Sequence, residues 1–428
     1  MAGKTTKKKT TSARSIDATG DGPTKDFFAK TAKKTGGEVL ANIDSVSYFV
    51  DTGNLAVNYI CSGYFITGGV PGGKLTEIFG PSSSSKSLFG NNILFGCQKI
   101  NGVAVLIDAE NSANKEFIKK ASHADLDQIL RYTPPTLEQV FAKIYEVIEF
   151  IRGELGPNVP IVIVYDSITV SPCERELREV KLPANYTQAQ FKAIVGAKQQ
   201  PGERARICST EFRKLNTMME KYNVTVIVLN QTRSKIGVLY GNPETTGGGG
   251  NALEFYASCR LRPQTQKKIE QKLSAKKKKI LGINVKMVNK KNKTHRPFVE
   301  SDGIQLTFDK GINPLGGLLS CLLDAGRIEN KGSGNFSVKE PWAAGQQVAF
   351  KGSLDTNNTV PVDVLLQCPL LIDAQTSDEV KAYLDPFKSA MEFEIAGDVE
   401  ETDVTDGDSE EEGIDEQIDA ELELGESE

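Results

Sequence analysis

The run Val224 to Leu229 (VTVIVL) is continuous, apolar and rich in β-branched residues, the pattern of a strand covered on both faces of a parallel sheet. The stretch that follows constrains the chain further. Residues 230–260, NQTRSKIGVLYGNPETTGGGGNALEFYASCR, join a polar Asn-Gln pair to a cationic, glycine-rich loop and then to an amphipathic segment. Gln231 is expected to leave the carboxyl edge of the sheet, where ligands of open α/β sheets bind. The loop beyond it carries Arg233 and Lys235 with Gly237, Gly241 and Gly247 to Gly250, a composition that approaches a phosphate backbone closely and changes shape. Such a layout suits the coupling of two ligand sites.

Further strand signals lie at 74–79 (KLTEIF), 103–107 and 161–164, separated by helical segments. Between the last two, Thr136 and Gln139 form a capping box for a helix with apolar positions at Leu137, Val140, Phe141, Ile144, Val147, Ile148 and Ile151, which Gly153 is placed to end. A short helix is expected over 25–34, before Gly36 and Gly37. The alternation predicts an α/β fold with a mainly parallel, doubly wound sheet. At 428 residues the chain exceeds one ordinary core. It divides into a basic disordered tail (1–23), an N-terminal segment (24–50), a core (51–312), a small mixed α/β C-terminal lobe (313–398) and an acidic disordered tail (399–428).

The chemistry starts at Gly80. Residues 80–87, GPSSSSKS, match the phosphate-loop pattern GxxxxGK[ST] except that Ser85 stands at the second glycine. Serine-rich turns are common, but a strand before and a helix after favour a nucleotide over a mere turn. In that context backbone amides of Gly80, Pro81, Ser82, Ser83, Ser84 and Ser85, with Leu88 opening the helix, surround phosphate; proline, lacking an N–H, only shapes the loop. Lys86 reaches the outer phosphates and Ser87 ligates Mg²⁺. Two more strand ends converge there, at Asp108-Ala109-Glu110 and at Asp166-Ser167. Asp166 suits the outer shell of the metal, through water, and Glu110 is left to polarise an attacking water. Each carboxylate alone reads as a cap or turn residue; together they point to phosphoryl transfer.

Charge is segregated. Residues 399–428 hold 15 Asp or Glu and no Lys or Arg, so the preceding chain has 51 basic against 41 acidic residues. A basic body makes nucleic acid the first partner to test, and the tail is either a solvated extension or a competitor for the same surface. The seven cysteines show neither a CxxC pair nor regular spacing, and the two histidines, His123 and His295, are too few for a histidine metal site. MAGKTTKKKTTSAR lacks the apolar stretch of a signal peptide, and no apolar run reaches the length of a membrane span, so a cytosolic protein with no membrane partner is expected.

The segment NQTRSKIGVLYGNPETTGGGGNALEFYAS closely resembles the second DNA-binding loop, with its flanks, of the RecA recombinase family. KNKTHRPF at 291–298, IDAEN at 107–111, GGVPGGKLTEIFGP at 68–81 and GIN at 311–313 resemble other family segments in the same order. The similarity runs from about residue 50 to 325, and the divergent phosphate loop and tails are more similar to phage-encoded members than to a bacterial housekeeping copy.

The resemblance implies a RecA-type P-loop NTPase core with ATP and Mg²⁺ as cofactors. Gln231 would sense the terminal phosphate and pass its presence to the loop at 234–250. There Arg233, Lys235, Gly237, Gly248, Gly249 and Gly250 would contact single-stranded DNA, with Ile236 inserted between groups of bases. Ser209 and Arg213 match positions that contact the DNA backbone, Phe117 an aromatic that stacks on adenine, and Lys291 and Lys293 lysines that reach a neighbouring subunit's nucleotide. The segment 24–50 would serve oligomerisation. Three departures bear on hydrolysis rate and nucleotide preference: Ser85, Asn114 where the family has an acidic residue near adenine, and a longer first DNA-binding loop within 174–203. The expected activity is a DNA-dependent ATPase that forms a helical filament on single-stranded DNA, pairs it with a homologous duplex and exchanges strands, with ssDNA-binding and mediator proteins as further partners. The alternatives are a structural ssDNA-coating filament with a vestigial ATPase and a hexameric RecA-fold motor or helicase. The compartment would be the bacterial cytosol, or that of the host for a phage-encoded copy.

Overall fold

A computed structural model of the chain describes residues 24–42, 46–177, 202–234, 244–246, 249–274, 277–354, 358–391 and 399–403. Residues up to 45 form one unit and the remainder a second. In the first, helix α1 (Lys25–Thr35) starts where the Thr24 hydroxyl accepts the Phe27 N–H and stops at the left-handed Gly36. Phe27 and Phe28 on this helix are exposed.

The second unit opens with a short ribbon, β1 (Phe49–Val50) and β2 (Val70–Pro71), flanking helix α2 (Leu55–Ser62). Its sheet follows: β3 (Leu75–Gly80), β4 (Val103–Asp108), β5 (Ile129–Tyr132), β6 (Ile161–Asp166) and β7 (Val224–Ser234), with β8 (Glu244–Thr246) paired to the end of β7. The long strands β9 (Cys259–Ser274) and β10 (Lys277–Asn292), then β11 (Glu300–Thr307) and β12 (Gly311–Ile312), complete it. In space the order is β12-β11-β10-β9-β3-β7-β6-β4-β5. From β9 to β5 every pairing is parallel, and from β9 to β12 every pairing is antiparallel. Helices α3 (Lys86–Lys99), α4 (Lys115–Ser122), α5 (Leu137–Leu155), α6 (Glu174–Leu177), α7 (Glu203–Tyr222) and α8 (Gly250–Tyr256) connect these strands. Two apolar clusters follow from the double cover, one around α2 and α3 and one around α5 and α7.

Three sequence expectations shift. Helix α5 runs through Gly153 to Leu155, because Arg152 donates to the carbonyls of Gly156, Val159 and Tyr222 and so supports the last turn past the glycine. Strand β7 does not end before Gln231: Thr232 to Ser234 pair with Thr246 to Glu244, so the loop leaves the sheet on a hairpin stem. The acidic tail is not wholly without structure, since Val399–Asp403 forms a strand, β16, antiparallel to β9 at Lys267–Gln271. There β9 has run past its β3 partner, and an added strand satisfies edge N–H and C=O groups.

Beyond Asn313 come α9 (Leu318–Asp324), a three-stranded antiparallel sheet of β13 (Ile328–Gly332), β14 (Asn335–Val338) and β15 (Ala349–Lys351), and helices α10 (Val362–Gln367), α11 (Ser377–Leu384) and α12 (Lys388–Met391). Their apolar side chains continue the cluster around α2 and α3. All seven cysteines are buried free thiols, and no described helix is long and apolar enough to cross a membrane.

Candidate functional site

The carboxyl edge of β3 passes into Gly80 and the serine loop. A Cβ on Gly80 would sit 2.8 Å from the Ser84 hydroxyl and 3.1 Å from the Pro263 carbonyl, so a side chain there would collide with the loop's own turn. Ser84 is buried and donates to the Pro81 carbonyl at 2.8 Å, closing the loop on itself. Ser83 (φ +54°) and Ser85 (φ +63°) both occupy the left-handed region. Ser85 therefore takes up a glycine-type conformation with a Cβ present, at a cost of about 1–3 kcal/mol. Lys86, the first residue of α3, is 8% exposed and donates to the Pro81 carbonyl at 2.5 Å and the Ser84 hydroxyl at 3.4 Å. Burial lowers its ammonium to about 8, although Asp166 and Glu110 pull the other way. Such a half-satisfied cation favours an anion with several oxygens. Pro81, Ser82, Ser83 and Ser87 are exposed, whereas Leu88 is buried beneath the loop.

The strand register brings the other groups to this edge. Gln231 lies directly beside Gly80, and Asp108 beside Asp166. Burial raises the Asp166 carboxyl to about 6, with Glu110 and Asp108 adding to the rise and a hydrogen bond from the Ser87 hydroxyl opposing it. Ser167 donates to Glu110 Oε1 at 2.6 Å, and both backbone N–H groups of Ala109 and Glu110 point to the Asp166 carbonyl, at 2.7 and 3.4 Å. Glu110 is thus aimed and held. Asp108, by contrast, accepts from Arg131 at 2.6 and 2.9 Å and from the N–H groups of Ser112 and Ala113, which assigns it to fixing the 109–113 turn.

Asn114 caps α4 by accepting the Glu116 and Phe117 N–H groups, and Phe117 is partly buried against the core. On α7, Ser209 is partly buried and Arg213 exposed, one helical turn apart on the flank of the buried face of Cys208, Phe212, Leu215 and Met219. Gly249 and Gly250 open α8, with φ of +80° and +53°. The side chains of Arg233, Lys235 and Ile236, the glycines Gly237 and Gly248 and most of the first loop lie outside the described residues. Lys291 donates to the Glu254 and Phe255 carbonyls at 2.5 and 3.0 Å, while the exposed Lys293 is anchored by its backbone N–H on Ser258.

Several residues that hold this edge together escaped sequence reasoning. Glu77, fully buried in β3, accepts Asn230 Nδ2 at 2.8 Å and Arg260 Nε at 2.5 Å. Arg260, its neighbour in register, also pairs with Glu254 at 2.7 Å and lies 4.4 Å over the Phe79 ring. Thr169 donates to Asn230 Oδ1 at 3.1 Å and accepts the Gln231 N–H at 3.0 Å. Arg204 of α7 donates to the carbonyls of Thr169 and Ser171. The signal was present in KLTEIF: a charge inside a strand covered on both faces demands a buried partner.

A family model, the RecA N-terminal domain, matches residues 16–313. Protein RecA of Thermus aquaticus is 35% identical over 266 residues, covering 62% of this chain and 70% of that one. The same figures for Protein RecA of Syntrophus aciditrophicus are 35% over 266 residues, 62% and 69%. Protein RecA of a Caulobacter species is 32% identical over 307 residues, 72% of this chain and 76% of its own. With the model spanning most of the chain and relatives matched over more than two thirds of their length, the chain belongs to the RecA family and is an ATP-dependent DNA recombinase, a DNA-dependent ATPase.

Proposed function

We propose that the protein binds ATP with Mg²⁺ at Gly80–Ser87 and uses it to set its grip on single-stranded DNA through the stem and loop that begin at Gln231. The observation that carries this reading is the register: Gly80 and Gln231 are paired neighbours, so a phosphate on the serine loop lies beside the first residue of the DNA segment. Lys86 and the loop amides bind and orient the phosphates. Glu110, aimed by Ser167, holds and polarises the attacking water. Asp166 and Ser87 fit a hard cation: the hydroxyl and carboxylate adjoin, the carboxylate is crowded by other acids, and no cluster of three or more acidic, His or Cys ligands exists among the described residues. Few protein ligands suit Mg²⁺ that is shared with phosphate, where it would neutralise charge developing on the oxygens.

Within this reading Phe117 stacks on the base and Gln231 senses the terminal phosphate. Ser209, Arg213, Arg233, Lys235, Ile236, Gly237, Gly248, Gly249 and Gly250 contact DNA, and Lys291 and Lys293 complete the nucleotide site of an adjacent copy. That composite site requires a helical filament, with 24–50 as its docking segment, 51–312 as the ATPase core and 313–398 as a C-terminal lobe packed on that core. Homologous duplex is the second substrate, mediators act at loading, and the setting is a bacterial or infected-host cytosol. Negative-stain images with ssDNA and a nonhydrolysable ATP analogue test the assembly: helical filaments are expected, and closed rings would overturn it. A fluorescent nucleotide titration tests the pocket, and binding without magnesium dependence would count against Ser87 and Asp166.

A further inference from the structure

Helix α8 is a junction. Its first residue, Gly250, ends the DNA-binding loop; its Glu254 carboxylate holds Arg260; and its last carbonyls hold Lys291. Arg260 and Lys291 are cross-strand partners in the β9–β10 pairing, so two cations stand side by side. Around Lys291 the charged groups are Lys293 and Arg260, which repel it, and Glu254 and Glu77, which attract it. Glu77 is already engaged by Arg260 and Asn230, which leaves the Glu254 carboxylate, paired with Arg260, as the other anion that attracts Lys291.

We propose that α8 is a storage seat for Lys291: with Glu254 in place the lysine is held in its own chain on the helix's terminal carbonyls, and movement of α8 with the DNA loop releases it. The inference rests on the reading that Lys291 serves the nucleotide site of an adjacent copy, and adds that this service is withheld until DNA engages. Glu254 is then a positioning residue. Its side chain is 59% exposed, so its replacement leaves the core intact. Without the carboxylate, Arg260 stays paired with Glu77 and still repels Lys291 while one of the two attracting anions is gone, and Lys291 leaves its seat.

The test compares steady-state ATP turnover with and without ssDNA in the full chain, for Glu254→Gln, Glu254→Asp and Lys291→Gln. Glu254→Gln is expected to raise DNA-free turnover about tenfold, equivalent to about 1.4 kcal/mol, while DNA-stimulated turnover stays within about twofold. Glu254→Asp, which keeps the charge, is expected to restore DNA dependence, and the double variant Glu254→Gln with Lys291→Gln to lose the gain. An unchanged ratio of DNA-free to DNA-stimulated turnover in Glu254→Gln overturns the storage seat. If Lys291→Gln alone leaves DNA-stimulated turnover intact, the composite-site reading of Lys291 fails, and the seat fails with it.

Discussion

The two ends of α3 each carry a lysine, Lys86 buried and Lys99 partly open to solvent, and their treatment is opposite. At the carboxyl end Lys99 pairs with Asp51 at 2.7 Å and lies 4.4–5.0 Å from the centroids of Phe95, Tyr383 and Phe387. Asp51 in turn accepts from Asn58, Tyr383 and the Gly53 N–H. Gly96 permits this closeness, since a Cβ there would lie 2.1 Å from the Asp51 carbonyl. At the amino end Lys86 has a carbonyl and a hydroxyl but, among the described residues, no salt bridge, and two serines beside it hold left-handed backbone. One end is neutralised and secures the 377–391 segment to the core. The other keeps unmet charge and strain at the place proposed for the nucleotide phosphates, as functional sites do.

The sharpest way to break the comparison is to remove each lysine's role in turn. Lys86→Ala is expected to lower ATP turnover and strand exchange about a thousandfold, on the scale of a lost transition-state donor, with circular dichroism and melting behaviour nearly unchanged. Survival of both activities would show that the serine loop is not the nucleotide site. Asp51→Ala leaves the Gly53 N–H, Asn58 and Tyr383 donors without their buried acceptor and is expected to cost about 2 kcal/mol of stability. Denaturant titration reads it, and a loss below about 0.5 kcal/mol would place the Asp51–Lys99 pair with ordinary surface ion pairs.

Ser85→Gly sharpens the contrast. Removing a Cβ from φ +63° is expected to stabilise the nucleotide-free protein by about 1 kcal/mol, and the change should tighten ATP binding rather than weaken it. Destabilisation would mean that the serine hydroxyl matters more than the backbone.

The smallest effect is protonic. Lys86 is lowered to about 8, so the unfolded chain binds the proton over a range where the folded chain has lost it, and stability from this group rises as pH climbs from about 8 into the usual lysine range. Phosphate favours the charged form. At pH 8 ATP binding should therefore take up about half a proton per site, read by calorimetry in buffers of different ionisation enthalpy. Asp166, raised to about 6, is already ionised there. Uptake near zero would contradict the desolvated-lysine picture.

Much of this was legible because it is written in strands and loops of fixed type. VTVIVL is buried throughout, and the three carboxylates after apolar runs all reach one sheet edge. The strand, turn and helix around Ser85 were visible despite the missing glycine, since β3 and α3 flank the serine run as its sequence context implies. What stayed hidden depends on pairing across the sheet. Asp108 looks like Asp166 in sequence, and its bonds to Arg131, 23 residues away, and to the Ser112 and Ala113 N–H groups assign it to the turn. Glu77 and Arg260 lie 183 residues apart and meet because β3 and β9 are neighbours, which spacing along the chain does not encode. Gln231 was expected beyond the strand end. The stem that keeps it inside is made by Glu244–Thr246, across a loop whose glycines hid the pairing.

The central claim is that the nucleotide beside Gly80 controls the DNA segment that starts at Gln231. A D-loop assay with ATP, with ADP and with no nucleotide, run beside ATP turnover with and without ssDNA, tests it most directly. The account predicts joint molecules with ATP alone and turnover that rises with ssDNA. Equal D-loop yields in all three conditions would contradict it.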